Sequence, residues 1–205
     1  MSDQTHFDML SLSVDTSSGT IISNSPSKPL AAELEKLHAL AKSLTQIEHL
    51  PQGAPQGVPP PPIPLNPKRG ANVTKLRDSG NAEFRKGRYA EAVKLYTVGV
   101  SMALQRPAWE PAQVVREEAS ALYANRAQAY MAMNRWAEGG VDAQSSVEMK
   151  KVGNAKAWWR RGKCLMEMGR LEEARDWVGK ALEVEGEEED LSKLAKEIQE
   201  RLKRN

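Results

Sequence analysis

Two hydrophobic periodicities divide the chain. Over residues 7–14, Leu10, Leu12 and Val14 alternate with Ser11 and Ser13, a period of two that predicts a strand. Residues 15–19 (DTSSG) are turn chemistry and Thr20, Ile21 and Ile22 favour extended structure, so a hairpin is expected. From Pro29 to about Leu50 the period lengthens: Leu30, Leu34, Leu37, Ala41 and Leu44 recur at steps of three and four, with Leu40 and Ile47 widening the stripe. That pattern is an amphipathic helix with Ser27 as its N-cap and Pro29 in its first turn. Hairpin and helix together carry little core, and segments so small usually need a partner to fold against. Residues 1–50 are therefore expected to form a docking module whose strand edge is open to addition by another chain; packing back on the main domain, or disorder, is the competing reading.

Residues 51–67 hold eight of the twelve prolines. They cannot enter a helix interior or a central strand and read as an extended, semi-rigid spacer, so residues 51–69 are expected to be a linker. A ligand role for its PxxP spacing is the weaker alternative.

From Gly70 onward every apolar period is helical, and the pattern repeats. GNAEFRKGRYAEA from Gly80, AQAYMAMNRWAEG from Ala127 and GKCLMEMGRLEEA from Gly162 fall into one frame. Small residues (Gly80, Ala127, Gly162; Ala92, Gly139, Ala174) let two helices approach, and large ones (Tyr89, Trp136, Leu171, Tyr96, Val178) fill the gaps. The spacings are 47 and 35 residues, one near-standard helical repeat and one carrying an insertion at residues 102–118. Pro107 and Pro111 in that insertion end one helix and open the next, with Trp109 as the expected staple of the elbow. Leu191, Leu194, Ile198 and Leu202 form a stripe on a last helix after the acidic run at residues 187–190, the cap that a solenoid needs. The expected fold is all-α: a right-handed solenoid of three helix pairs over residues 70–205 with a C-terminal capping helix.

Composition narrows the chemistry. A net charge of +2 excludes bulk nucleic-acid binding and confines electrostatic recognition to local sites. One cysteine, Cys164, excludes an internal disulfide framework and fits a reducing compartment; it reads as a small buried apolar residue. His6, His38 and His49 have no companions at metal-ligand spacing and read as surface residues, and no apolar run is long enough to span a membrane. There is no Ser/His/Asp or Cys/His grouping and no phosphate loop, so neither enzyme activity nor a cofactor is expected.

In the repeat frame, the first helix of each pair presents Arg77, Asn81 and Phe84, then Ala121, Asn125 and Gln128, then Lys156, Trp159, Arg160 and Lys163 to the concave face. Trp158 turns inward. Cations and amides converging on one groove suit a short acidic peptide, because arginine grips a carboxylate with two parallel donors.

The frame resembles the tetratricopeptide repeat family. Arg77 with Gly80-Asn81, Asn125 within LYANRA, and Lys156 with Arg160 in KAWWR resemble the carboxylate clamp of its chaperone-binding members. The resemblance implies that Arg77, Asn81 and Asn125 hold the terminal carboxylate of an EEVD tail from a cytosolic heat-shock chaperone. Lys156 and Arg160 would hold its acidic side chains, with Phe84, Gln128, Trp159 and Lys163 lining the groove. The layout of docking segment, Pro-rich linker and PAWEP elbow is similar to that of the soluble tetratricopeptide subunits of the fungal post-translational Sec translocation complex. This implies a non-enzymatic adaptor, peripheral on the cytosolic face of the endoplasmic reticulum and tethered through residues 1–50 to a membrane-anchored Sec partner subunit. A soluble co-chaperone or scaffold is the alternative.

Overall fold

A computed structural model describes residues 11–15, 20–23, 27–45 and 67–204. The chain divides into two compact units, one holding the N-terminal hairpin and helix together with Pro107–Trp109, the other residues 66–106 and 110–205.

In the first unit, strand β1 (Leu12–Val14) pairs antiparallel with β2 (Ile21–Ser23) in the register Leu12↔Ser23, Ser13↔Ile22 and Val14↔Ile21. Helix α1 (Lys28–Thr45) packs on β2. Ser27 caps it as its sequence position requires, its Oγ accepting the Leu30 N–H at 3.3 Å. Ser11 lies outside β1; residues 7–10 and 46–50 of the expected strand and helix lie outside the described residues. His38 corrects its sequence reading: it is half-buried, and its Nδ1 is enclosed without a hydrogen-bond partner among the described residues. Leu12, Val14, Ile22 and Leu37 remain 40–61% exposed, so this unit has apolar surface that it does not bury itself.

The second unit is a run of antiparallel helices: α2 (Pro67–Arg85), α3 (Tyr89–Leu104), α4 (Ala112–Ala132), α5 (Trp136–Met149), α6 (Ala155–Glu167), α7 (Leu171–Glu185) and α8 (Glu189–Arg204). Helix α2 begins three residues before the expected boundary, because proline is tolerated in a first helical turn, where its missing N–H has no partner to lose. Residues 51–66 of the expected linker lie outside the described residues. Each helix packs on the next, and α2 also touches α4, α4 touches α6 and α6 touches α8; α3 does not touch α5, nor α5 α7. Alternate helices thus approach along one layer only. That layer, made by the first helix of each pair, is the concave side.

Glycine governs the spacing within pairs. A Cβ on Gly80 would lie 2.8 Å from Tyr96 Cδ1, and one on Gly162 2.6 Å from Val178 Cγ2, so in both pairs a large residue sixteen positions on is seated directly against helix backbone. The turn into each second helix is also repeated: Gly87, Asn134 and Gly169 all have positive φ, and the arginine that follows each one pairs with a glutamate (Arg88–Glu83, Arg135–Glu138, Arg170–Glu173).

Two polar assemblies hold the pairs to one another, and neither was legible in the sequence. At the elbow Arg106, 8% exposed, donates to both carboxylate oxygens of Glu118, at 2.9 and 2.7 Å, and to Glu110. Nearby, Arg69 Nη1 donates to the Gln105 carbonyl at the end of α3 at 2.8 Å, a cation placed where the helix dipole favours one. Trp109, the expected staple, is half-buried. At the junction of α4, α5 and α6, Asn154 Nδ2 donates to the Lys150 and Ser146 carbonyls at 2.9 and 3.1 Å, and Ser146 Oγ donates to the Ser120 carbonyl at 2.9 Å. The cap follows its pattern, with Leu191, Leu194 and Ile198 at most 2% exposed.

Substitution at two glycines separates packing from helix propensity. Gly80→Ala forces Tyr96 from its seat and should destabilise the domain by about 1–3 kcal/mol. Gly179→Ala meets nothing within 4 Å on the exposed side of α7 and should stabilise it by about 0.5–1 kcal/mol. Urea denaturation midpoints of the two variants check both signs.

Candidate peptide-binding groove

Helix α2 contributes Arg77, Asn81 and Phe84, α4 contributes Asn125, Gln128 and Met131, and α6 contributes Lys156, Trp159 and Arg160. On α2 and α4 these positions lie three or four residues apart and so share a face; on α6 Trp159 and Arg160, three and four residues after Lys156, flank one face. The start of α6 is locked from several sides: Glu185 accepts the Gly153 and Asn154 N–H groups at 3.1 and 2.8 Å, Trp158 Nε1 donates to the Lys151 carbonyl at 2.9 Å, and Trp177 Nε1 donates to the Trp158 carbonyl at 2.9 Å. Trp158 is 3% exposed and packs on Trp177 with ring centroids 4.5 Å apart. The cations that follow on α6 therefore project from a fixed helix start.

A cavity of about 440 Å³ opens on this face. It is lined by the apolar Phe84, Met131, Ala132, Ala155 and Trp159, by Gln128, Lys156 and Arg160, and by Glu188 and Asp190 from the start of the cap. Arg160 Nη2 donates to Gln128 Oε1 at 2.9 Å. Burial holds the Arg160 guanidinium below its ordinary range, with the Tyr96 phenol opposing that shift. A cation desolvated in this way has more to gain from an arriving carboxylate than one in open water. Lys156 is exposed, and no carboxylate pairs with it among the described residues.

A second hydrogen-bond network is centred on the side-chain oxygen of Asn81. Tyr96 Oη donates to Asn81 Oδ1 at 2.7 Å, and Asn125 Nδ2 donates to the same oxygen at 2.9 Å. Burial pushes the Tyr96 phenol up to about 12, against the pull of Arg85 and Arg160, so it stays protonated and serves as donor. With both lone pairs of its carbonyl occupied, the Asn81 amide has one orientation, and its NH₂ group has no acceptor among the described residues. An amide poised in this way is a donor for an anion.

The expected site residues thus fall into four groups. Asn81 and Asn125 are bonded to each other; Phe84, Gln128, Lys156, Trp159 and Arg160 line the cavity. Arg77 stands one turn before Asn81, outside the cavity lining, its Nε 3.3 Å from the neighbouring Asp78 carboxylate. Lys163 requires a correction: it is not part of the lining but bridges Glu167 at 2.9 Å and Glu197 at 3.3 Å, tying α6 to the cap. Two carboxylates within reach outcompete an open groove for an ammonium group. Cys164 is fully buried, and burial pushes its thiol up to about 12, so it is packing. Arg126, next to Asn125, is a strut: it grips both oxygens of Asp142 at 2.6 and 2.7 Å and donates to Thr97 Oγ1 at 2.9 Å. Among the described residues there is no cluster of three or more potential metal ligands.

Sequence reasoning took Tyr96 as a gap filler and missed its hydroxyl. The Gly80-to-Tyr96 spacing, repeated from Gly162 to Val178, was available as a packing signal; the hydrogen bond was not, because Val178 occupies the equivalent place without one.

Stacked helix pairs with small-to-large interlocks and amide and guanidinium donors on the inner layer define a tetratricopeptide-type repeat protein, and residues 155–187 match the model described as Tetratricopeptide repeat. The chain is 35% identical over 157 residues to the ER protein translocation subcomplex subunit sec67 of Schizosaccharomyces pombe, an alignment covering 74% of this chain and 79% of that protein. It belongs to the family of that translocation subunit. Its fold is shared with a chain in the cryo-EM structure of the Sec complex from S. cerevisiae, with a TM-score of 0.64 and 17% identity over 95% of this chain and 98% of that one. The first tetratricopeptide domain of Spaghetti (RPAP3), bound to the HSP90 peptide SRMEEVD, matches with a TM-score of 0.53 and 26% identity over 64% of this chain and 94% of that one.

If the phenol orients Asn81, Tyr96→Phe keeps the ring in its seat and removes only the donor. The expected result is an unchanged circular-dichroism spectrum with affinity for an EEVD-ending peptide reduced about five-fold, the equivalent of one hydrogen bond of about 1 kcal/mol, measured by calorimetry.

Proposed function

We propose that the groove binds the acidic C-terminal tail of cytosolic heat-shock chaperones and that the protein is a non-enzymatic adaptor coupling those chaperones to post-translational translocation into the endoplasmic reticulum. The observation that carries this reading is the Asn81–Asn125 pair, oriented by Tyr96, whose phenol interacts electrostatically with the partly desolvated Arg160, with the exposed Lys156 one turn before Arg160 on α6. Amides are suited to a terminal carboxylate, which approaches backbone closely, and the two cations to acidic side chains. Charge-assisted bonds of this kind contribute about 1.5–3 kcal/mol each, and after ordering costs an affinity on the order of micromolar follows. Arg77 joins the site by leaving Asp78, an exposed neighbour contact that costs little to break. The Spaghetti domain, which holds a peptide ending in EEVD, supports the ligand class; the family of sec67 supports the place of action.

Peripheral attachment at the cytosolic face is part of the same proposal. No helix among the described residues is long and apolar enough to cross a membrane, and the exposed Leu12, Val14, Ile22 and Leu37 offer the first unit as the surface for a membrane-anchored Sec partner. Residues 1–50 are the docking module in this reading and residues 51–66, up to the start of α2 at Pro67, its spacer.

Two experiments test it. Calorimetry should show micromolar binding of an EEVD-ending peptide and a loss of about ten-fold or more on C-terminal amidation; Asn125→Ala and Arg160→Ala should each weaken the free-acid peptide by about ten-fold without loss of helicity. Equal binding of the acid and amide forms would exclude a carboxylate clamp. Separately, Val14→Asp in the full chain should abolish co-sedimentation with microsomal membranes while leaving peptide affinity unchanged; retained co-sedimentation would place the attachment elsewhere.

A further inference from the structure

The cavity that carries Lys156 and Arg160 is also lined by Glu188 and Asp190. Opposite charges therefore face one cavity, and they do not close on one another: among the described residues no carboxylate pairs with Lys156, and no cation pairs with Asp190. The remaining lining is uncharged, and Arg160 is engaged by one of its members, the neutral Gln128. The carboxylates differ in their ties. Glu188 Oε2 accepts the Asp190 N–H at 3.1 Å and so is held at the start of α8, whereas the Asp190 side chain is exposed and uncommitted. Helix α8 is anchored beneath them by three buried apolar residues and by Lys163 and Arg201 bridging to Glu167 and Glu197, so this acidic edge is a fixed part of the groove.

We infer that Glu188 and Asp190 select among acidic tails by the charge of the residues that precede the acidic motif. This rests on the peptide-binding reading of the groove. A ligand whose carboxylates meet Lys156 and Arg160 must continue past the cap, and there the field has the opposite sign. A tail with a basic residue before its two glutamates satisfies both walls at once. A tail that extends its acidic run meets like charge, which disfavours it without any change in the clamp itself. The groove thus reads a charge pattern, basic then acidic, in which the cap supplies the first half and α6 the second.

The test uses the full chain and three peptides that differ at one position: SRMEEVD, SAMEEVD and SEMEEVD. At low salt the arginine peptide should bind roughly two- to five-fold more tightly than the alanine peptide, and the glutamate peptide weaker than alanine by a similar factor, the range of one solvent-exposed ion pair. In Asp190→Asn the order should compress, and in the Glu188→Gln, Asp190→Asn double variant it should vanish; both substitutions retain side-chain oxygens for capping α8. Compression of the ranking as salt is raised would support the same reading, since exposed pairs are screened over about 8–10 Å. Equal affinities of the three peptides for the unsubstituted chain, or a ranking that survives in the double variant, would overturn this inference while leaving the clamp intact. Failure of all three to bind would overturn the clamp reading and the inference with it.

Discussion

The structure depends on how closely two helices can approach when one of them has no side chain at the crossing. At Gly80 the Tyr96 ring, and at Gly162 Val178, occupy space that any Cβ would claim. Dispersion and apolar burial at these seats set the distance within a pair, and the repeated turns at Gly87, Asn134 and Gly169 set the angle of return. Once pairs of fixed thickness are stacked, their first helices meet along one layer and their second helices do not, which bends the array toward the first layer. The groove is therefore a consequence of pair geometry.

The same seat prepares the chemistry. Because Tyr96 lies against the backbone beside Asn81, its hydroxyl reaches the side-chain oxygen of that residue and uses one lone pair, while Asn125 uses the other. Packing is converted into the orientation of a donor. A site built from amides ordered by their own network loses little entropy when an anion arrives, the condition under which a few hydrogen bonds amount to useful affinity. At the other wall, partial desolvation of Arg160 and the bonded start of α6 serve the same end. The acidic edge of α8 shows a capping helix with a second consequence: the residues that favour its N-terminus by the helix dipole also place negative charge at one end of the groove.

The first unit follows a different logic. Two three-residue strands and one helix leave Leu12, Val14, Ile22 and Leu37 in water, a cost that nothing among the described residues of the unit offsets. Such a surface is what the proposed docking of this unit on a partner would cover.

Periodicity, the small-residue frame and the prolines were enough to define the helix pairs, the cap and the hairpin, because these are local: they depend on which residues stand three, four or two apart. That Asn81 and Asn125 would stand on neighbouring first helices was legible for the same reason, since a repeat frame carries positions from one pair to the next. What the tertiary structure decided were contacts between residues with no common frame. Lys163 shares a helix face with Arg160 but is claimed by Glu197 on the cap; Arg106 is buried at the elbow by Glu110 and Glu118; Asn154 ties three helices together; and Tyr96 orders an amide fifteen residues earlier. Polar side chains choose partners by distance and desolvation in three dimensions, and a one-dimensional pattern of apolar residues says which face each stands on but not which partner will reach it first.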